Sequence, residues 1–382
     1  MDALHVIVIG AGALGLSSAL HLAERGARVT AIEADTIAGG STGRSIGVVG
    51  TQHVTARDVA MRAYGVRRIR EWTKRGLEFH AIGYLRLGRS ASDLALFERS
   101  LDFQREAGVA SARILEPAEI RKLVPDISTE GIEGGLFGPD DGFLDPYAFT
   151  TLLAEMVRDL GSSVRQGCRL IGAECRGTGY RLCTSSGHMD CDAVVIAAGA
   201  WAQRVATLFG HPLPIRPERH EAVTIRVPEP LPYVMPMVMD LVHGGGGTGL
   251  NFRHDRPDEL IAEIHSASGA STDPDDYDQQ IADLSKEHLA QLLLERLPGL
   301  AGAGFGRGWA GLYPESPDGR PFVGPFAGEP HLIAAAGAGG YGIQLAPVIG
   351  ALVADWLIGG EARTIPGADV FRPNAARVGV RR

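Results

Sequence analysis

The chain has 382 residues, of which 51 are glycine, and carries a formal charge of −8 at pH 7. Hydrophobic residues make up 45% of the chain and charged residues 21%, which excludes a wholly disordered protein. An acidic chain of this length without a long basic run predicts a large buried core, in one elaborated domain or two, and no nucleic-acid partner.

The four cysteines, Cys168, Cys175, Cys183 and Cys191, contain no CxxC pair. Their spacing favours free thiols on short strands over a metal site, and free thiols are typical of a reducing cytoplasm. The first predicted strand begins at His5, with no basic segment or cleavage site of a signal peptide before it. We therefore expect a cytoplasmic protein without a metal.

The N-terminal region predicts a strand, a glycine turn, a helix and a second strand that ends at Glu33. A glycine-rich loop follows this unit. The ranges are 6–9 for the strand, 10–15 for the turn, 16–25 for the helix, 29–33 for the second strand and 39–47 for the loop.

Hydrophobic periodicity predicts further helices over 58–76, 91–107, 117–124, 147–160 and 285–297. Alternating patterns predict strands over 220–227 and 259–265, and several short strands within 164–196. Seven prolines between 212 and 236 indicate a change of domain, and the loop 244–247 is expected to be a mobile lid.

Residues 332–354 contain no charge and are long enough to span a membrane. Five glycines and Pro347 interrupt this stretch, however, and four of the glycines fall within 337–342. A strand, a glycine turn and a buried helix explain the pattern better, so we expect no integral membrane segment.

A dinucleotide-binding motif stands at the first glycine turn. Gly10, Gly12 and Gly15 form GxGxxG between a strand and a helix, and Glu33 follows at the end of the next strand. Gly10 permits the tight turn, Gly12 lets the backbone approach a pyrophosphate, and Gly15 lets helix and strand pack closely. Glu33 would accept hydrogen bonds from ribose hydroxyls and would repel a 2′-phosphate.

The motif alone does not separate NAD from FAD, but a second glycine turn near the C-terminus does. Residues 337–347 lead into another predicted helix, which ends near Leu357. Two such turns suit one extended ligand that is bound at both ends, as FAD would be, and the second helix dipole would point at the flavin edge where negative charge appears on reduction.

Together these segments resemble the D-amino-acid oxidase-like flavoprotein superfamily, and within it the sarcosine oxidase β-subunit and related amine dehydrogenases. The stretches that carry the resemblance span nearly the whole chain. They are residues 6–15 with Glu33, 40–47, 141–147, 194–201, 311–321 and 337–347.

The resemblance implies an α/β fold: a Rossmann-type FAD-binding domain and a second domain whose mixed β-sheet covers the flavin. We assign residues 1–80, 145–212 and 305–382 to the FAD-binding domain, and residues 81–144 and 213–304 to the substrate-binding domain. The residues expected to bind FAD non-covalently are Gly10, Gly12, Ala13, Leu14, Gly15, Glu33, Gly40, Ser41, Arg44, Ser45, Gly47, Leu170, Ala198, Gly199, Trp201, Gly339, Gly340, Tyr341, Gly342, Ile343 and Gln344.

The sequence also departs from the family pattern. Tyr313 stands where glycine oxidase and D-amino-acid oxidase have a carboxylate-binding Arg, and Gln344 stands near the position of a Lys in monomeric sarcosine oxidase. No cysteine follows Cys191, which excludes a covalent flavin link through Cys at the terminal turn. Residues 227–285 contain no Lys to activate O2, so we do not expect fast reaction with O2. The expected acceptor is O2 or another electron acceptor, and an electron carrier or a partner subunit is an alternative to O2.

The activity implied by the resemblance is hydride transfer from the carbon beside an amine nitrogen to flavin N5, giving an imine that hydrolyses. The cofactor carries this chemistry, so the residues we select only position the substrate. They are Tyr313 and Tyr341, inside matched motifs, and Arg253 as a candidate for a substrate carboxylate. His220, His243 and Asp318 fit polar surface or turn positions better than catalysis.

Two alternatives stay open at this point. An enzyme of the same fold could oxidise a 2-hydroxy acid, and the chain could be a flavin-binding subunit of a larger dehydrogenase complex. The sequence does not distinguish an N-alkyl glycine or other secondary amine from a D-amino acid as substrate.

Overall fold

A computed structural model describes residues 3–241, 248–266 and 271–378. Within these ranges the N-terminal half contains the strands β1 His5–Ile9, β2 Arg28–Ile32, β3 Val48–Val49, β4 Tyr84–Gly88, β5 Arg113–Leu115, β6 Gly134–Gly138, β7 Gly142–Phe143, β8 Ser163–Arg165, β9 Leu170–Arg176, β10 Gly179–Thr184 and β11 Gly187–Cys191. The strands that follow are β12 Ala193–Ile196, β13 Arg216–Arg226, β14 Met237–Leu241, β15 Thr248–Arg256, β16 Glu259–Ser266, β17 Gly304–Glu315, β18 Phe322–Phe326 and β19 Glu329–Ala336.

The helices that the sequence predicted agree with the structure to within a few residues at most ends, and two short helices, over 202–208 and 375–378, were not predicted. They are α1 Ala13–Glu24, α2 Ala56–Trp72, α3 Ala91–Glu106, α4 Pro117–Leu123, α5 Pro146–Asp159, α6 Ala202–Leu208, α7 Asp283–Arg296, α8 Gly342–Ala354 and α9 Ala375–Val378. Thr55 and Asp145 cap α2 and α5 by accepting a backbone N–H in the first turn of each helix. A π-helical turn, Asp355–Gly359, continues α8.

The first large sheet has six strands in the order β18, β19, β12, β1, β2, β8. Its strands run parallel from β19 to β8, and β18 is antiparallel at the edge. Parallel strands need both faces covered. Helices α1, α2, α5 and α8 cover one face through a core that includes Leu16, Phe149 and Ile349, and residues of β10 and α6 pack on the other. The sheet is therefore doubly covered, as the Rossmann-type prediction requires.

The second large sheet has eight strands in the order β17, β13, β16, β15, β14, β4, β6, β5. Its strands are antiparallel except for the pair β14 and β4, so the sheet is mixed as predicted. One face packs on α7 and α4 through a second core that includes Phe252, Leu293 and Ile120. The other face supplies the site described below.

The exact division into domains stays a prediction. Strand β17, which the prediction placed within the FAD-binding segments, pairs with β13 inside the eight-stranded sheet. The proposed lid at 244–247 lies outside the described residues, as does His243.

Among the described residues, Gly339–Gly359 is the one helical stretch that is long and apolar enough to cross a membrane. In the structure, 78% of its most apolar 18-residue stretch is buried inside the protein, as in the core helix of a globular fold. The 3₁₀ turn Gly339–Tyr341 separates its start from α8.

Candidate active site

A cavity of about 710 Å³ is lined by residues of both large sheets. The first glycine turn (residues 10–15) follows β1 and lines one part of it, and the terminal glycine turn (residues 337–342) follows β19 and lines another. In open α/β sheets, ligands bind beyond the carboxyl ends of the strands. The cavity has this position and a volume typical of a ligand pocket, so it is the candidate active site.

Most residues selected from the sequence meet in this cavity, although they come from both ends of the chain. Those that line it are Gly10, Gly12, Ala13, Leu14, Glu33, Gly40, Ser41, Arg44, Ser45, Leu170, Ala198, Gly199, Trp201, Tyr313, Gly339, Gly340, Tyr341, Gly342, Ile343 and Gln344.

The first glycine turn brings backbone, and not side chains, to the cavity. Gly10 has φ +108°, and a Cβ there would overlap the carbonyl oxygen of Ala197. Gly15 lies outside the lining because it faces the strand, where a Cβ would overlap the carbonyl oxygen of Gly10. Gly12 is the N-cap of α1, whose first amides lack carbonyl partners four residues earlier. This end of α1 can therefore bind an anion.

Glu33 lies directly after β2 and is fixed by two backbone groups. Its carboxylate accepts hydrogen bonds from the N–H of Ala11 at 2.9 Å and of Asp35 at 3.0 Å. A carboxylate has about four acceptor positions, so others stay available on the cavity side. Cys168 and Leu170 line the same end of the cavity.

The glycine-rich loop over residues 39–47 supplies a hydroxyl group and a guanidinium cation. The Ser41 hydroxyl is buried and has no hydrogen-bond partner in the structure. The Arg44 guanidinium donates to the carbonyls of Gly39 and Gly40 and to the side chain of Gln279. Arg44 therefore holds the loop closed, whereas Ser41 offers an unused polar group to the cavity.

The terminal glycine turn packs against a tyrosine of the eight-stranded sheet. A Cβ on Gly340 would run into the ring of Tyr313. The Tyr313 ring stacks on His220, with ring centroids 3.8 Å apart and planes 18° apart. The turn and β17 are thus in direct contact, and Tyr313 lies at the end of the cavity that the sequence assigned to the flavin.

Residues of β4, β14, β15 and β16 form the roof of the cavity, and sequence reasoning did not select them. These roof residues are Tyr84, Met237, Met239, Asn251 and Glu263. Tyr84 donates a hydrogen bond to the Met239 sulfur at 3.1 Å, and burial raises the pKa of Tyr84 to about 12. In the sequence these residues fall at every second position of their strands. A strand with one face toward solvent shows the same alternation, so the pattern did not identify them as site residues.

Glu263 connects the roof to Tyr313. It accepts a hydrogen bond from the Asn251 amide at 3.0 Å and a second from the Tyr313 hydroxyl. Burial and the Glu263 charge hold the pKa of Tyr313 well above its usual range. Tyr313 therefore keeps its proton and acts as a hydrogen-bond donor at neutral pH.

Arg253 does not line the cavity, although it lies on the same sheet. Its guanidinium donates to the carbonyls of Ile46 and His254 and to the Asp255 carboxylate, and it stacks on Phe143 at 3.7 Å from the ring centroid. The structure thus uses Arg253 to fix the backbone at Ile46, and it does not present the group to a substrate carboxylate.

Gly47 also lies outside the cavity lining. It has φ +71°, and a Cβ there would overlap the carbonyl oxygen of Leu144. Gly47 therefore permits the close approach of two chain segments. Asp318 forms ion pairs with Arg320 and Arg377, which agrees with a structural role at its turn.

The donor set of the cavity fits FAD. The glycine backbone of the first turn, the helix N-terminus and the unpartnered Ser41 hydroxyl suit a pyrophosphate, and Glu33 suits ribose hydroxyls. The terminal turn lies at the other end, beside the start of α8. Among the described residues, no group of three or more His, Cys, Asp or Glu side chains is placed to hold a metal ion.

Comparison with known proteins agrees with this arrangement. Residues 5–356 match the family described as FAD dependent oxidoreductase, DAO. The chain belongs to this family, so the resemblance to the D-amino-acid oxidase-like flavoproteins is confirmed, and FAD is its cofactor.

The individual relatives have low sequence identity to this chain. Mitochondrial dimethylglycine dehydrogenase of Rattus norvegicus is 28% identical over 94% of this chain, and the chain spans only 43% of that protein. Glycine oxidase of Geobacillus kaustophilus is 24% identical, with 92% of each chain covered. The crystal structure of L-proline dehydrogenase from P. horikoshii superposes with a TM-score of 0.88 at 26% identity over the whole of both chains.

A buried acid near the site predicts how stability varies with pH. Asp141 accepts hydrogen bonds from the Thr51 N–H at 3.0 Å and hydroxyl at 3.1 Å, and burial raises its pKa to about 7. Between about pH 4 and 7 the folded state binds this proton more tightly than the unfolded state, so the free energy of unfolding falls as pH rises. Asp141→Asn, which keeps an acceptor, should remove that fall and stabilise the protein above pH 7 by up to about 4 kcal/mol.

Urea unfolding at pH 5 and pH 8 measures this effect. Asp140→Asn is the matched control, because Asp140 is a half-buried neighbour whose pKa is lowered by hydrogen bonds from Ser111 and Arg70. For Asp140→Asn, the free energy of unfolding should decrease from pH 5 to pH 8 as it does in the wild type. An equal decline in wild type and Asp141→Asn would contradict the prediction.

Proposed function

We propose that this chain oxidises a small amine or amino acid with FAD, removing hydride from the carbon beside the nitrogen and leaving an imine that hydrolyses. When bound, FAD supplies the two-electron acceptor. The observation that carries the proposal is that a dinucleotide-type turn and a roof of apolar and hydrogen-bonding side chains share one cavity. The names of the relatives, which are dehydrogenases and oxidases of glycine, dimethylglycine and proline, support the same class of substrate.

The residues of the chain would bind and position the substrate. Tyr313 and Tyr341 line the cavity beside the terminal turn, and Gln344 accepts the Gly50 N–H at 3.2 Å, which ties α8 to the loop after β3. Tyr84, Met237 and Met239 offer an apolar surface that would exclude water from the reacting carbon. Positioning of this kind supplies most of what a flavin enzyme needs from its protein.

Anaerobic reduction of the purified yellow protein by a substrate panel tests the proposal. The panel contains secondary amines such as N-alkyl glycines, L-proline, D-amino acids and 2-hydroxy acids, and the readout is bleaching of the flavin absorbance. Bleaching by an amine or amino acid is expected. Bleaching by hydroxy acids alone would favour a hydroxy-acid oxidoreductase, and no bleaching by any compound would favour a flavin-binding subunit.

The electron acceptor is a separate part of the proposal. Residues 227–285 contain no Lys that could supply a cation to stabilise reduced oxygen species. Slow reoxidation by O2 and fast reoxidation by an artificial dye are therefore expected after anaerobic reduction. Such a result would support an electron carrier or a partner subunit as the acceptor. We also propose a cytoplasmic location for the protein.

A further inference from the structure

Two roof residues form a pair of buried hydrogen-bond acceptors. Asn251 in β15 lies directly opposite Glu263 in β16, and its amide nitrogen donates to the carboxylate at 3.0 Å. Asn251 is 1% exposed and Glu263 is 9% exposed, and both line the cavity. The pair therefore faces the space that a substrate would occupy, away from bulk water.

The orientation of the Asn251 amide leaves an acceptor unused. An ionised carboxylate can only accept, so the nitrogen of Asn251 must point to Glu263 and the oxygen must point away from it. That Oδ1 atom is buried and has no hydrogen-bond partner. A buried polar atom without a partner costs free energy, which a ligand carrying N–H groups would recover.

Among the described residues, no Lys or Arg lines this end of the cavity, and His220 lies there stacked on Tyr313. The arginines that do line the cavity are Arg44, Arg169 and Arg204. Arg44 is bound to its own loop, Arg204 forms ion pairs with Asp273 and Asp275, and Arg169 lies beside β9 at the nucleotide end.

The rest of the sequence adds no cation to the roof loops. Residues 242–247 and 267–270, which connect or follow the roof strands, contain no Lys or Arg. Arg253 in β15 is engaged by Ile46, His254 and Asp255. Arg86 in β4 lies with its guanidinium carbon 6.0 Å from the Tyr84 ring centroid and is outside the cavity lining. The Glu263 carboxylate is thus hydrogen-bonded but lacks a paired cation, an arrangement that a cationic ligand would stabilise.

We propose that Asn251 and Glu263 form an ammonium-binding subsite, which selects substrates that carry a protonated amine with N–H groups. The Glu263 carboxylate then accepts one ammonium proton, which frees the nitrogen lone pair before hydride leaves the neighbouring carbon. This inference rests on the proposed function for the reaction itself, and it adds the specificity-determining residues. Tyr84, Met237 and Met239 lie on the same roof and suit the alkyl groups on such a nitrogen. Tyr313 orients Glu263 through its hydroxyl.

Three ligands of similar shape, which differ in charge or in N–H groups, test the subsite. tert-Butylammonium has three N–H donors and no hydrogen on the carbon beside nitrogen, so the proposed reaction cannot consume it. Pivalate is an anion of similar shape, and tetramethylammonium is a cation without N–H. Calorimetric titration of the FAD-loaded protein should show that tert-butylammonium binds about 10 to 100 times more tightly than either, because charge-assisted hydrogen bonds form only with this ligand.

Each other order of affinity overturns the inference. Tighter binding of pivalate would point to Arg62 and Arg86, whose guanidinium carbons lie 4.9 Å and 6.0 Å from the ring centroids of Tyr341 and Tyr84. Equal binding of tetramethylammonium would point to the aromatic rings, without need for the acceptors. Because these affinities do not depend on turnover, they are independent of whether the substrate panel bleaches the flavin.

A matched pair of variants locates the effect. Glu263→Gln should weaken tert-butylammonium binding about 10- to 100-fold at unchanged FAD content. Glu259→Gln, in the same strand but outside the cavity lining, should leave it unchanged. Unchanged affinity in Glu263→Gln would overturn the inference. Should this variant fail to fold, Tyr313→Phe, which loses one donor to Glu263, and the ligand order in the wild-type protein still decide the question.

Discussion

Glu33→Arg is expected to lose FAD on purification, with an affinity reduced by at least about 100-fold. The arginine has no acceptor, so the ribose hydroxyls would lose a charge-assisted partner worth roughly 1.5–3 kcal/mol for each hydrogen bond. The N–H groups of Ala11 and Asp35 would also lose the carboxylate that fixes the first glycine turn. Flavin absorbance relative to protein absorbance after dialysis measures the occupancy.

Two further variants separate the local charge from a general effect. Glu33→Gln keeps one acceptor and should retain more FAD than Glu33→Arg. Glu174→Arg places the same charge change on the exposed part of β9, outside the cavity lining, and should keep full occupancy. Full flavin occupancy in Glu33→Arg would show that Glu33 does not bind the ribose.

Gly342→Val is expected to give a folded, colourless protein. Gly342 begins α8 with φ −54° and ψ −41°, which valine adopts readily, and a Cβ there would meet no protein atom within 4 Å. The side chain would instead occupy the cavity that Gly342 lines. We expect an unchanged melting temperature of the FAD-free protein and at least a 100-fold loss of FAD affinity, since packed groups do not tolerate overlap.

The control for this substitution is Gly304→Val, at the start of β17. A Cβ on Gly304 also meets no protein atom within 4 Å, but the residue lies outside the cavity lining. This variant should stay yellow. A yellow Gly342→Val protein with wild-type FAD affinity would remove the terminal turn from the flavin site, whereas a lowered melting temperature would indicate a folding defect.

The parts of the site that the sequence predicted are those built from short, local segments. Gly10, Gly12 and Gly15 lie within six residues between a strand and a helix, so their spacing alone fixes the backbone they form. Glu33 follows from the next strand of the same unit. The terminal turn was recognised because its glycines and the apolar helix after them are adjacent in the chain.

The roof could not be predicted in this way. In β16, Glu259 and Glu263 share one face of the strand with Ile261, and the other face is apolar, a pattern that equally describes a strand with one face toward water. Only the pairing of β16 with β15 places Glu263 opposite Asn251, and only the position of that face beside Tyr313 removes it from solvent. A carboxylate gives the same sequence signal in both environments.

Arg253 is the opposite case: the sequence selected it for the substrate site, and the structure engages its guanidinium elsewhere. It shares a strand face with Asn251, so the period of two residues correctly places it on the side of the sheet that carries the roof. The carbonyl of Ile46 comes from a loop more than 200 residues earlier and takes up its guanidinium. No local pattern predicts that contact.

The sequence by itself determined the cofactor class and the α/β fold, because glycine spacing and hydrophobic periods act over a few neighbouring residues. The tertiary structure decided which charged groups face the substrate, because the pairing of distant strands and loops sets the burial of each. Arg253 is consequently held by backbone carbonyls, and Glu263 faces the cavity.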